Sequence, residues 1–394
     1  MASSARGDKC FAGEIGSFFF GSLGDYNPLS NMHDSAKRWL GIKSGSRAFT
    51  APFKVWVDVT DACNLACIFC RTHSPLAKAQ GRRNNFMEID MFKGIVDELS
   101  SIGVKEIVFS PHGEPFAHPN FLEMAEYAAG KGLKCSIVTN GTLLDEETAK
   151  RLAGLDVELR VSLHSGDADA WKRLQGGAAV PDFKRLKRVL KILNAEESLA
   201  SVDLYGVVTS ANYMDVAGIY KLAAETKTGR VVLQPFVRFG GGEKLALTAA
   251  QSEELKSGLE DARKLAAQNG IKDNIDELLH DRAFSRDGVF DYDLENSFDD
   301  RIPCRVGWFY SRIDVSGNVL ACPHGASVGS IRNEGFEEIW KSKEYAAARR
   351  EMAAAFKNPE AGGKYPCRLC CFIELNRKVE QASIANILRR LLRI

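Results

Sequence analysis

"VWVDVTDACNLACIFC", residues 55–70, begins as a strand and ends as a ligand loop. β-Branched and aromatic residues fill its first half, which predicts a strand over 55–60. Cys63, Cys67 and Cys70 follow in a C-x3-C-x2-C spacing, with no fourth cysteine nearby. A structural zinc tetrahedron needs four ligands, and these usually come as two separated C-x2-C-like pairs. Three thiolates on one loop fit an iron–sulfur cluster that leaves one iron open to a non-protein ligand.

The same grammar recurs outward from this stretch. Apolar runs of strand length at 106–110, 134–139, 157–163, 202–209 and 230–236 alternate with helical patterns over 88–101, 120–130, 145–153, 182–194 and 214–225. Six strand–helix units predict a parallel α/β sheet with right-handed crossovers, a partial (β/α)6 TIM-like barrel. In such barrels the chemistry sits on loops at the C-terminal strand ends, where the three cysteines fall. Other loops at that rim carry Ser110-Pro111-His112-Gly113-Glu114-Pro115, Asn140-Gly141-Thr142 and Ser162-Leu163-His164-Ser165. Singly, Asn140 reads as a turn residue, and His112 and His164 as hydrogen-bonded loop residues. Their shared rim makes them a candidate site.

A chain of 394 residues with 45% hydrophobic composition predicts one large domain and a smaller one. Its 52 basic and 51 acidic residues give a net charge of +1 and argue against nucleic acid as the main partner. The N-terminus lacks a signal-peptide pattern, and no stretch is apolar for long enough to span a membrane. The expectation is a cytoplasmic protein whose clustered cysteines stay reduced and bind metal.

Behind Gly240-Gly241-Gly242 the pattern predicts a helix over 250–268, then an acidic, turn-rich stretch over 273–300 that reads as a solvated connector. Cys304, Cys322, Cys367, Cys370 and Cys371 follow. "CRVGWFYSRIDVSGNVLAC", 304–322, reads as two strands around Ser316-Gly317-Asn318, bringing Cys304 and Cys322 to the same end of a hairpin. "CRLCC", 367–371, would close a four-thiolate site over it, and by ligand chemistry alone zinc is the ordinary occupant. Cys10 and Cys135 fall outside both groups and read as free thiols. The resulting division is an extension (1–50), a core (51–240), a bridging helix and connector (241–300), a small cysteine domain (301–375) and an amphipathic helix (376–394).

Together, "CNLACIFC", "SPHGEP", "TNGTLL" and "RVSLHSGDADAWKRLQG" resemble the radical S-adenosylmethionine (radical SAM) superfamily over about residues 50–240. The resemblance implies a [4Fe-4S] cluster on Cys63, Cys67 and Cys70 whose open iron chelates SAM. Gly113 and Glu114 match a Gly-Gly-Glu-type motif that runs along the SAM amino group, with His112 replacing its first glycine. Phe69 matches an aromatic position near the adenine and Ser162 a polar position facing the ribose or methionine carboxylate; Asn140 is a further candidate. The spacing C-x12-G-x4-C, "GFEEIWKSKEYAAARREM" and the last C-x2-C resemble the twitch/SPASM extension of that superfamily. Five cysteines rather than seven imply the shorter twitch type, one auxiliary [4Fe-4S] cluster on Cys304, Cys322, Cys367 and Cys370, with Cys371 an alternative ligand or a spare thiol.

The activity implied is cleavage of SAM to a 5'-deoxyadenosyl radical and oxidation of a small, carbohydrate-like molecule, with an external electron donor such as flavodoxin or ferredoxin. His112, His164, Lys172, Gln234 and Arg238 are candidate polar contacts to it. The alternatives are an epimerase using Cys371, Tyr205 or Tyr310 as hydrogen donor, a peptide-modifying enzyme and, in another class, a zinc-binding structural module.

Overall fold

The computed structural model describes residues 32–77, 84–109, 112–176, 183–236, 240–280, 303–323 and 325–357, with Asn376 and Val379. Strand and helix alternate much as the periodicity predicts: β1 (Lys54–Val57), α2 (Ile89–Ser101), β2 (Glu106–Phe109), α3 (Phe121–Gly130), β3 (Lys134–Thr139), α4 (Glu146–Ala153), β4 (Val157–Ser162), α5 (Ala168–Leu174), α6 (Phe183–Leu193), β5 (Ser201–Val208), α7 (Val216–Glu225) and β6 (Arg230–Pro235), with α1 (Met32–Ser44) before them. Asp145 and Asp167 begin α4 and α5 by accepting hydrogen bonds from Thr148 and Ala170 amides, which satisfies donors that a helix start leaves open.

All six strands pair in parallel, β1 to β2 through to β5 to β6. Side chains alternate across a strand, and here the two faces differ in chemistry. Val55, Ile107, Ile137, Leu159 and Leu204 join the helices' apolar faces in one continuous core. The other face lines the inside of the partial barrel. It carries Lys54 paired to Glu106 at 2.7 Å, Arg160 to Glu158 at 2.6 Å, and Arg230 to Asp203 at 3.4 Å. The barrel interior is therefore polar and internally paired near the strand starts.

The barrel is open, and both edges are covered. Past β6, Lys272 exchanges backbone hydrogen bonds with Gly229 and Val231, and Asn274 bonds both the N–H and C=O of Leu233 at 2.9 Å. Helix α8 (Ala249–Asn269) and the short α9 (Ile275–His280) bracket this contact, with Ile275 and Leu278 buried. The beginning of the acidic stretch is thus a seal on the barrel edge rather than a solvated connector; Asn274 supplies the two hydrogen-bonding groups that an edge strand otherwise exposes.

On the other side the hairpin predicted around Ser316-Gly317-Asn318 is present, as β7 (Tyr310–Ile313) antiparallel to β8 (Asn318–Leu320). Gly317 takes φ 87°, a left-handed conformation that favours glycine. Strand β7 also pairs in parallel with β1, so among the described residues one sheet of nine strands runs from β6 to β9 (Ser327–Ser330). Helices α10 (Phe336–Lys341) and α11 (Lys343–Lys357) complete this part. Arg349 on α11 lies over Trp340 and Tyr345 and donates to the carbonyls of Gly307, Ser46 and Trp340. The described part of the N-terminal extension packs on the rest of the chain: Arg38 of α1 donates to the carbonyls of Trp308 and Ala51. Cys10, Arg238, Cys367, Cys370, Cys371 and the C-terminal amphipathic pattern lie outside the described residues.

Candidate active site

The ligand loop leaves β1 at its C-terminal end, with Cys63, Cys67 and Cys70 half-buried. The turn is closed by the Cys70 amide donating to the Cys67 carbonyl at 3.0 Å, and the His73 amide donates to Cys70 Sγ at 3.2 Å. Backbone N–H groups aimed at sulfur stabilise a thiolate and any iron bound to it. Among the described residues no three His, Cys, Asp or Glu side chains converge on a point where one metal ion could sit. In a 4Fe–4S cube each thiolate takes its own iron, so these three cysteines fit a cluster without converging.

The loop after β2 explains its glycine. A Cβ on Gly113 would stand 2.5 Å from the Ala62 carbonyl oxygen and 2.7 Å from that of Thr60, far inside contact distance. Without one, the Glu114 amide donates to Ala62 at 2.8 Å and the two loops lie backbone to backbone. Glu114 is buried; its carboxylate accepts from the Thr139 hydroxyl and the Asn140 amide, each at 2.7 Å, and from the Phe116 amide. Burial pushes this carboxyl up to about 7, against those donors. Asn140 joins the same structure: its side chain donates to Asn64 in the cysteine loop at 3.0 Å and accepts from the Thr142 amide at 2.8 Å. It is a turn residue, as the bland reading had it, that also grips the ligand loop.

Phe69 is buried in a small cluster with Leu174, Val207, Phe236 and Leu245, and its ring meets that of His164 edge-on at 4.2 Å. His164 Nδ1 accepts from the Val207 amide at 3.0 Å, and burial holds the ring well below its usual range, at about 3, so it is neutral. Ser162 ends β4 beside Tyr205 of β5. Tyr205 is buried on the inner face, and so is Gln234, opposite Val207 on β6. Gln234 is 1% exposed, and neither its amide oxygen nor its nitrogen has a hydrogen-bond partner among the described residues.

His112 carries a side chain where the motif has glycine. Its Nδ1 lies 3.6 Å from Asp58, at the end of β1, and burial together with the nearby Arg312 keeps the ring below its ordinary pKa. Arg312 on β7 donates to Asp58 through Nε at 2.9 Å and through a second guanidinium nitrogen, and to the Pro323 carbonyl at 3.1 Å. Neither Asp58 nor Arg312 stood out in the sequence. Only the parallel pairing of β1 with β7, across more than 250 residues, brings them together.

Cys322 follows β8 at the end of the hairpin away from its turn, and Cys304 precedes β7 by way of a 3-10 turn over Val306–Trp308. Cys304 is buried, which raises its thiol to about 11, and the neighbouring Arg305 amide donates to Asn376 Oδ1 at 2.7 Å. Asn376, five residues beyond Cys371 in the sequence, thus lies beside the Cys304 segment.

Comparison with known proteins agrees with this geometry. The radical SAM superfamily model matches residues 57–223, and that of SPASM, an iron-sulfur cluster-binding domain, matches 304–371. The chain is 31% identical to an Fe-coproporphyrin III synthase of Methanosarcina barkeri over 54% of its length, and spans about half, 52%, of that relative. An AdoMet-dependent heme synthase of Nitratidesulfovibrio vulgaris is 27% identical over 73% of this chain and 78% of its own. Mycofactocin maturase MftC of Mycobacterium tuberculosis is 27% identical over 84% and 81%. Among solved structures, Streptococcus suis SuiB bound to S-adenosylmethionine has the same fold, with TM-score 0.59 and 17% identity over 92% of this chain and 84% of that one.

Proposed function

Because the chain belongs to the radical SAM superfamily and carries a SPASM-type iron–sulfur domain behind its core, we propose that it oxidises a small, polar, carbohydrate-like substrate held inside the open barrel. Cys63, Cys67 and Cys70 hold the SAM-binding 4Fe–4S cluster; Cys304 and Cys322, with Cys367 and Cys370, hold an auxiliary one. When bound, these groups supply an electron that splits SAM into methionine and a 5'-deoxyadenosyl radical, which takes a hydrogen atom from substrate, and a site that accepts the second electron as the substrate loses a proton. An external one-electron donor of the flavodoxin or ferredoxin kind feeds the cycle, which suits a cytoplasmic setting.

The observation that carries the substrate class is the Gln234 amide, buried on the inner face without a hydrogen-bond partner among the described residues, one strand from the Phe69–His164 cluster. A buried unsatisfied amide costs about 1–3 kcal/mol, which a polar ligand recovers. Val207, paired with Gln234 across the strands, packs in one apolar cluster with Phe69, whose ring meets His164. A second reading, a peptide substrate, is supported by the match to the maturase MftC over 84% of this chain.

The test is iron and sulfide content after anaerobic reconstitution, with 5'-deoxyadenosine release measured alongside, on wild type and on a Cys63→Ala, Cys67→Ala, Cys70→Ala variant. About eight irons falling to about four, with nucleoside release lost, supports the reading. Zinc in place of iron, or no SAM cleavage by reduced wild type, sinks it and returns the protein to the zinc-binding module.

A further inference from the structure

Asp58 and Arg312 form a buried pair between two ligand-bearing loops. Asp58 is 3% exposed and stands five residues before Cys63; Arg312 reaches from β7 to the carbonyl of Pro323, the residue after Cys322. On the Asp58 side the chain of contacts continues through His112, whose carbonyl lies 3.0 Å from His73 Nε2, while the His73 amide donates to Cys70 Sγ. The rings of Trp56 and Tyr310, which meet edge-on at 5.4 Å, belong to the same face one step down the strands. A guanidinium has a rigid fork of donors, so one side chain can fix two backbones at once. We infer that Arg312 is a positioning residue that clamps the loop of the SAM-binding cluster to the loop of the auxiliary cluster, and that with Asp58 it sets the charge both clusters feel.

This rests on the proposed ligand roles of Cys63, Cys67, Cys70 and Cys322. Reducing a cluster adds negative charge, so a nearby cation favours reduction and an anion opposes it; in low-dielectric surroundings neither effect is well screened. The pair is neutral as a whole, and removing either member leaves the other's charge behind. The experiment is a reductive titration of the reconstituted, two-cluster protein followed by EPR, on wild type, Arg312→Gln, Arg312→Lys and Asp58→Asn. The expected result is midpoints moved negative in Arg312→Gln, moved positive in Asp58→Asn, and only partly restored in Arg312→Lys, which keeps the charge and loses the fork. A residue that served folding alone would not give shifts of opposite sign. Wild type with two clusters, and variants with unmoved midpoints, would overturn the inference alone. Wild type without two clusters overturns the ligand assignment and the inference together. Should Arg312→Gln fail to fold, a midpoint in Asp58→Asn equal to that of wild type still overturns it.

Discussion

The carboxylate of Glu114 accepts the backbone N–H of Asn140 across 2.7 Å, so the loop after β2 hangs from the end of β3. The side chain that matches a cofactor-contacting motif is thus already engaged by the protein, and it acts first on the shape of the rim.

That engagement gives a pH dependence. Burial raises the Glu114 carboxyl from 4.5 in the unfolded chain to about 7 in the fold. Below about 4.5 both states are protonated and its contribution to stability is fully present; it is lost as pH rises through about 7. The loss is of the order of 3 kcal/mol. Melting temperatures of wild type and Glu114→Gln between pH 4.5 and 8 should show a steeper fall for wild type, and parallel curves would refute this.

Gly113→Ala should act on the cysteine loop. The added methyl meets two carbonyl oxygens of residues 60 and 62, and the backbone must move, at about 1–3 kcal/mol. Iron content should fall by about half while the auxiliary cluster's EPR signal persists. Full iron loading with normal SAM cleavage would show that the two loops need not touch.

Gln234→Leu should raise the melting temperature, because it removes a buried amide that has no partner among the described residues, at nearly constant volume, a gain of about 1–3 kcal/mol. SAM cleavage in the absence of substrate should continue. A lower melting temperature would mean that the fold itself uses the amide.

Arg349→Ala should cost more than about 3 kcal/mol, since it strips donors from three carbonyls and a cation from the faces of Trp340 and Tyr345. Chemical denaturation measures it, and a change below 1 kcal/mol would contradict the packing described.

Cys135 should resist alkylation in the native protein. It is fully buried on β3, and desolvation pushes its thiol up to about 12. Mass spectrometry after iodoacetamide treatment should find this cysteine labelled only when the protein is unfolded.

Much of the barrel was legible because its strands carry an apolar residue at most outward positions and its helices a 3.6-residue stripe; boundaries at Lys134, Val157 and Arg230 fall where the pattern begins. The cysteine spacing was equally plain, since ligands on one loop are local in sequence. What stayed hidden was long-range or two-faced. Glu158 and Arg160 sit within a β4 run that reads as apolar overall, and their inward direction appears only once a neighbouring strand fixes the register. Helix α5 went unread because 168–174 belongs to a phrase recognised as a motif rather than as an amphipathic turn. Asn274 looked like connector because an edge-capping side chain leaves no periodic trace.

The place of β1 in the sheet bears on how this protein can be taken apart. Its first strand is flanked by β2 on one side and by β7, more than 250 residues later, on the other. A fragment ending at residue 280 would carry the intact cysteine loop on a strand stripped of one neighbour, its peptide groups exposed to other chains. The C-terminal segment is therefore not a detachable cassette. Grafting it onto another core, or expressing the first portion by itself, breaks the sheet at the strand from which the ligand loop springs.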